Sequence, residues 1–236
     1  MKQACGHQVK LRPPQAGDTT TLRVWQPTAA PRDIAVLLAH GAGSALDERV
    51  LVTVAGGLAD RGVTSATFNF AYREAGRRPP DRADRLQRAF VDVLTALTAV
   101  TGIARTVLGG RSMGGRIATM LLADGHGAGG VAMGYPLWPG GRRPADARRT
   151  AHWPRITAPV LFVHGDRDRL CPVDALDLAR HEHLRDTAHC AHVVTGADHG
   201  FAVRVRDDRS TAEVDAELID TIDAWLRAAV EENRHG

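Results

Sequence analysis

Cysteine is scarce. Cys5, Cys171 and Cys190 make an odd three, with no C-x-x-C pair among them. That excludes a disulfide scaffold and a cysteine-rich zinc site, and it predicts a reducing, cytoplasmic setting. Lysine is scarcer still. Only Lys2 and Lys10 occur, so 28 of the 30 basic residues are arginine, set against 27 acidic ones. The net charge of +3 falls far short of the strongly basic balance of a nucleic-acid binder. Long apolar runs are missing too. None approaches the ~18–20 residues of a membrane span. The opening MKQACGHQVKLRPP has no apolar stretch of the secretory kind, so no signal peptide and no membrane partner are expected. No repeat, linker or low-complexity run interrupts the chain. What remains is 236 residues, 44% of them hydrophobic, which is enough for one sizeable core. A single domain over residues 1–236 is the expectation, as monomer or homodimer.

Strand-like and helix-like segments alternate. Ile34–Ala39 is a short continuous apolar run, as in a strand buried on both faces of a parallel sheet. Further strands are predicted at Leu22–Trp25, Thr64–Phe70, Arg105–Gly109, Gly130–Gly134, Pro159–His164 and His192–Thr195. Between them, Arg85–Val100 carries an apolar stripe of Leu86, Phe90, Val93, Leu94, Leu97 and Val100. Val50–Leu58 and Gly115–Leu122 read as shorter helices. A last helix spans about Thr211–Glu231, with Ser210 or Thr211 as its cap. The pattern is α/β: a doubly wound, mostly parallel sheet of about seven strands with helices on both faces. Ligands bind such sheets outside the carboxyl ends of the strands.

Three strand ends carry chemistry. After Arg105–Gly109 comes Gly110-Arg111-Ser112-Met113-Gly114, a G-x-S-x-G between strand and helix. That context is a nucleophile elbow, in which a sharp turn exposes the serine hydroxyl. With 24 glycines and four serines in the chain, chance supplies roughly 0.04 such matches. A serine nucleophile needs a base, and the base needs an orienting carboxylate, in the order Ser, acid, His. His199 follows the strand His192–Thr195, on a short glycine-flanked loop. Asp168 follows Pro159–His164 in Gly165-Asp166-Arg167-Asp168. Asp166 is the rival acid; its other reading is a carboxylate that holds backbone amides of the loop.

An oxyanion hole needs two backbone N–H donors. Met113, just after the nucleophile, supplies one. Ala42 supplies the other, from His40-Gly41-Ala42-Gly43 after the first apolar strand, with Gly41 as the alternative. His40 reads as a structural hydrogen-bonding residue of that loop. Histidines two apart in His181-Glu182-His183 do not share a helix face, so no metal is expected. The GxxxxGK[ST] and GxGxxG motifs are absent, and no nucleotide or other cofactor is expected.

Together these residues resemble the α/β-hydrolase fold, and within it a small dienelactone-hydrolase-like family. That family includes bacterial hydrolases, a testis-expressed vertebrate protein and scaffold proteins of the NSL complex subunit 3 type. The stretches that carry the resemblance are Ala39–Gly43, Phe68–Arg82 (FNFAYREAGRRPPDR), Gly109–Arg116 (GGRSMGGR), Gly134–Leu137 (GYPL), His164–Asp168 and Asp198–Phe201 (DHGF). It implies a Ser-Asp-His site on Ser112, Asp168 and His199, and no particular substrate. The expectation is a serine hydrolase of carboxylic esters or related acyl bonds on small soluble molecules. A scaffold module and an acyltransferase on the same triad are the alternatives.

Only about 20 residues, 137–155, separate GYPL from the next strand, too few for a large helical lid. A short cap loop at about 137–157 is expected, with Tyr135 and Trp138 as candidate pocket residues beside an equal packing reading. The charge is uneven. Residues 73–88 hold six arginines against three acids, and 137–155 hold five against one, so the rest of the chain is net acidic. A positive rim that favours anionic acyl substrates is one expectation; an ion-pair network is the other.

Overall fold

The computed structural model describes residues 6–11, 20–27, 30–139, 148–184 and 188–232. Eight strands form one sheet: β1 (His7–Leu11), β2 (Thr20–Trp25), β3 (Ala35–Ala39), β4 (Thr64–Phe68), β5 (Thr106–Arg111), β6 (Gly129–Met133), β7 (Val160–Gly165) and β8 (His189–Val194). Their order across the sheet is β1-β2-β4-β3-β5-β6-β7-β8. The β1–β2 and β2–β4 pairs are antiparallel, and every later pair is parallel. The extra strand over the expected seven is β1. Its sequence, HQVKL, has no continuous apolar run, and it lies at the sheet edge, where one side needs no partner.

Alternation along the strands builds a core on each face. In β3, Ala35, Leu37 and Ala39 enter one cluster while Val36 and Leu38 enter the other. In β7, Leu161 and Val163 face the second cluster, and Val160 and Phe162 a third. A strand covered on both sides must be apolar at every position, which is why these strands read as unbroken apolar runs.

Helices α1 (Arg49–Ala59) and α6 (Thr211–Trp225) pack together over one face. Arg32 clamps that face by ion pairs to Asp223 and Glu231. Helices α3 (Ala83–Thr101) and α4 (Met113–Ala123) cover the other, with the short α2 (Ala71–Glu74) before them and α5 (Val173–His183) further along the sheet. In α3 the expected stripe holds at Leu86, Phe90, Val93 and Leu97, but Val100 is exposed. It falls in the last turn before Gly102, whose φ of 73° ends the helix and turns the chain away from the core. Ser210 caps α6 through a full capping box with Glu213, and the helix closes in a π-helical turn, Leu226–Glu231.

The cap region holds a short 3₁₀ turn, Trp153–Arg155, whose Trp153 packs on Tyr135 and Phe162 with ring centroids 5.1 and 5.0 Å away. No helix among the described residues is long and apolar enough to cross a membrane. Phe162 anchors this third cluster and the end of β7. Phe162→Ala is expected to cost about 3–5 kcal/mol in urea unfolding, the range for a fully buried aromatic.

Candidate active site

The turn from β5 into α4 is tight because it has no side chains where it touches β3. A Cβ on Gly114 would come 2.1 Å from the Ala39 carbonyl oxygen and 2.9 Å from that of His40; one on Gly110 would come 2.2 Å from Ala39 O. Glycine alone fits there. The turn puts Ser112 at φ 51° and ψ −115°, a conformation that non-glycine residues rarely adopt. Its amide donates to Met133 O at 2.8 Å, which fixes Ser112 at the end of β6. α4 starts at the next residue, so its N-terminal dipole lies behind the serine.

His199 reaches the same place from β8. The next residue after Met133 is Gly134, and a Cβ there would lie 3.3 Å from His199 Nδ1. Ser112 and the His199 ring are therefore both set against residues 133–134. His199 Nδ1 stands 2.7 Å from Asp168 Oδ2. A carboxylate only accepts, so Nδ1 is the donor of this bond and Nε2 is the nitrogen left facing away from Asp168. The Asp168 side chain is fully buried, and its other oxygen accepts the Leu170 amide at 2.8 Å. Asp166 points elsewhere. Its Oδ1 accepts the Gly196 N–H at 2.8 Å, tying the β7 loop to the β8 loop. Asp198 shapes the histidine turn by accepting the Gly200 and Ala202 amides at 2.8 and 3.0 Å.

The loop after β3 supplies free donors. Among the described residues, the N–H groups of Ala42 and Met113 meet no acceptor. Gly41 N–H already faces Glu48 Oε2 at 3.4 Å. His40 is wholly buried: Nδ1 donates to Gly41 O at 2.7 Å, and Nε2 accepts the Phe70 amide at 3.1 Å. Burial pushes its pKa down to about 4, so the ring is neutral and structural. Tyr72 Oη donates to Ala42 O at 2.9 Å, and burial raises this phenol to about 12.

Four polar residues around this loop escape sequence reasoning. Asn69 Oδ1 accepts the Leu46 amide at 2.8 Å, and its Nδ2 donates to Glu74 Oε1 at 2.9 Å. Glu74 also accepts the Thr21 amide from β2 at 3.0 Å. Glu48 forms an ion pair with Arg111 and accepts Ser44 Oγ at 2.5 Å. Their only sequence signal is membership of the stretch FNFAYRE and of the segment after AHGAG.

Tyr135 and Trp138 are both buried in the third cluster, and Tyr135 donates to Arg149 O at 2.5 Å. This matches the packing role. The arginines of 73–88 are largely in ion pairs, as the network reading expects: Arg77 and Arg85 with Asp81, and Arg82 and Arg88 with Asp84. In the other segment Arg148 pairs with Glu182 and Arg155 with Asp124, while Arg142 and Arg143 lie outside the described residues. An open cleft of about 930 Å³ borders His199 and Asp168, lined also by Arg169, Leu170, Val193 and Arg204.

Residues 32–227 match the model of the α/β-hydrolase domain family, and the chain belongs to that family. Solved structures agree in fold. An α/β serine hydrolase homologue from Coxiella burnetii superposes with a TM-score of 0.74 at 18% identity, covering 92% of this chain and 97% of that one. An α/β serine hydrolase without lid from Xanthomonas campestris gives 0.73 at 18% identity, covering 94% and 96%. A dienelactone hydrolase from Anabaena variabilis gives 0.70 at 18% identity, covering 97% and 100%.

The buried neutral histidines make stability pH-dependent. His152, like His40, is pushed down to about 4, first by burial and then by the Arg116 charge. Both lie below the unfolded value of about 6.5, so the unfolded chain takes the proton first as pH falls. Their contribution is complete above pH 6.5 and is lost progressively down to about pH 4. Between pH 6.5 and 5 each should remove roughly 2 kcal/mol of unfolding free energy. Urea titrations of the native protein and His40→Asn check this: the variant should show the smaller pH dependence.

Proposed function

We propose that this chain is a serine hydrolase of carboxylic esters or related acyl compounds, with Ser112 as nucleophile, His199 as base and Asp168 as its orienting acid. The observation that carries the reading is the Asp168–His199 hydrogen bond of 2.7 Å, with the His199 ring set against Gly134 and Ser112 bonded to Met133 beside it. Ser112 Oγ attacks the acyl carbonyl as His199 Nε2 takes its proton. Asp168 holds the tautomer and stabilises the imidazolium. The free N–H groups of Ala42 and Met113 receive the oxyanion. His199 then protonates the leaving alcohol, and activates the water that releases the acyl group.

His40 and Tyr72 serve this chemistry by holding the loop that carries Ala42. The short chain between β6 and β7, and a similar structure described as lacking a lid, favour small soluble substrates.

A fluorophosphonate probe should label the native protein and fail on Ser112→Ala. Hydrolysis of p-nitrophenyl butyrate should fall about 10⁶-fold in Ser112→Ala and His199→Ala and about 10⁴-fold in Asp168→Asn. No label on native protein, or equal label on Ser112→Ala, sinks the reading and turns attention to an interaction role. Product analysis with added alcohols separates hydrolysis from acyl transfer.

A further inference from the structure

The loop that carries Ala42 and the turn that carries Ser112 are joined by one carboxylate. Glu48 is the last residue before α1, yet its side chain makes no cap bond to that helix. It turns back to the loop after β3 instead. Its Oε2 accepts the Ser44 hydroxyl at 2.5 Å and the Gly41 amide at 3.4 Å. The Ser44 amide donates to Gly41 O at 3.2 Å, so these bonds close one turn around Ala42 and Gly43. The other oxygen of Glu48 pairs with Arg111 Nε. Arg111 ends β5, immediately before Ser112. Its guanidinium lies against Gly41, where a Cβ would come 2.9 Å from Nη2 and 3.3 Å from Cζ. Both partners are largely buried, with 15% of the arginine side chain and 12% of the glutamate side chain exposed.

Gly41 N–H is taken and its residue is buried, whereas Ala42 is exposed and its N–H meets no acceptor among the described residues. Glu48 thereby decides which amide of the loop can meet a ligand. A bare carboxylate in this place would work against catalysis. It bonds the amide next to Ala42, and an oxyanion is a second negative charge in the same neighbourhood. Like charges in a poorly solvated place repel strongly, and an opposite charge held between them removes the penalty. Arg111 supplies that charge from the segment that also carries the nucleophile.

We propose that Glu48 is a positioning residue for the oxyanion site and that Arg111 is its counter-charge. The carboxylate holds residues 41–44 so that Ala42 N–H points at the substrate carbonyl, and the guanidinium keeps that carboxylate from repelling the oxyanion. This rests on Ser112 being the nucleophile of a hydrolase. Neither side chain makes or breaks a bond. Both act where the carbonyl oxygen gains its charge, in the transition state, so their loss falls on kcat and leaves KM nearly unchanged.

The test is hydrolysis of p-nitrophenyl butyrate, with kcat taken per fluorophosphonate-labelled site so that misfolded protein does not count. Glu48→Ala should lower kcat at least tenfold, with KM within threefold of native. Glu48→Gln keeps an acceptor oxygen for Gly41 and Ser44, and should recover most of that loss. Arg111→Met should lower kcat at least tenfold beside Glu48 but less than threefold in the Glu48→Gln background, where the charge it balances has gone. If Arg111→Met does not fold, Arg111→Gln takes its place in the same cycle. An ion pair that only stabilises the fold would lower the urea midpoint and leave kcat per site unchanged. Native kcat in Glu48→Ala, or an equal loss from the arginine change in both backgrounds, overturns the proposal and leaves the hydrolase reading intact.

Amide hydrogen exchange followed by NMR does not depend on turnover. Gly41 N–H should exchange at least tenfold faster in Glu48→Ala than in the native protein, while Ala42 N–H should exchange fast in both. If Ser112 does not label, the hydrolase reading fails on its own. This exchange pair then decides the clamp: faster exchange at Gly41 supports it, and unchanged exchange overturns it.

Discussion

Nothing larger than a hydrogen atom can stand at Gly110 or Gly114 while the β5–α4 turn rests on the carbonyls of Ala39 and His40. That contact sets the distances of the whole region. It brings the start of α4 against the loop after β3, so that two unpaired amides from different segments belong to one neighbourhood. It also forces Ser112 into its positive-φ conformation, with the amide locked to Met133. The strain is held by the sheet on one side and α4 on the other, and neither can relax without moving β3.

A second constraint orders the histidine. Gly165 lies so close to Ala197 O that a Cβ would come within 2.2 Å, and Asp166 bonds the Gly196 amide across the same gap. The β7 and β8 loops are thus one rigid piece, and Asp168 and His199 meet although thirty-one positions apart in sequence. The two aspartates of one short turn divide the labour: one ties loop to loop, the other orients a ring.

The parallel strands were legible because burial on both faces leaves an unbroken apolar run, as in Ala35–Ala39 and Val160–Val163. Ser112, Asp168 and His199 stood out because each follows a strand at a glycine-marked turn, although β8 before His199 is a partly exposed edge strand. Strand β1 was hidden by its polar edge sequence. Thr64–Phe70 was read two residues too long, since Asn69 and Phe70 continue its alternation yet leave the sheet to bond the β3 loop. Glu48, Asn69 and Glu74 stayed hidden for a similar reason. Their partners lie on other segments, and no local periodicity announces such a bond. In residues 73–88 the spacing of Asp84 to Arg88 matches one turn of α3, whereas Arg77 meets Asp81 in the non-helical segment before it, which only the fold shows.

The polar supports of the β3 loop reach back further than the family match does. Asn69 O accepts the Thr20 hydroxyl, and Glu74 accepts the Thr21 amide, both from β2. The matched span begins at residue 32. The matched span therefore contains Ser112, Asp168 and His199, but not every brace of the loop after β3. The antiparallel strand β2 is an accessory splint on an inherited engine. A change at Thr20 or Thr21 would act on the loop after β3 through Asn69 and Glu74 without touching Ser112, Asp168 or His199.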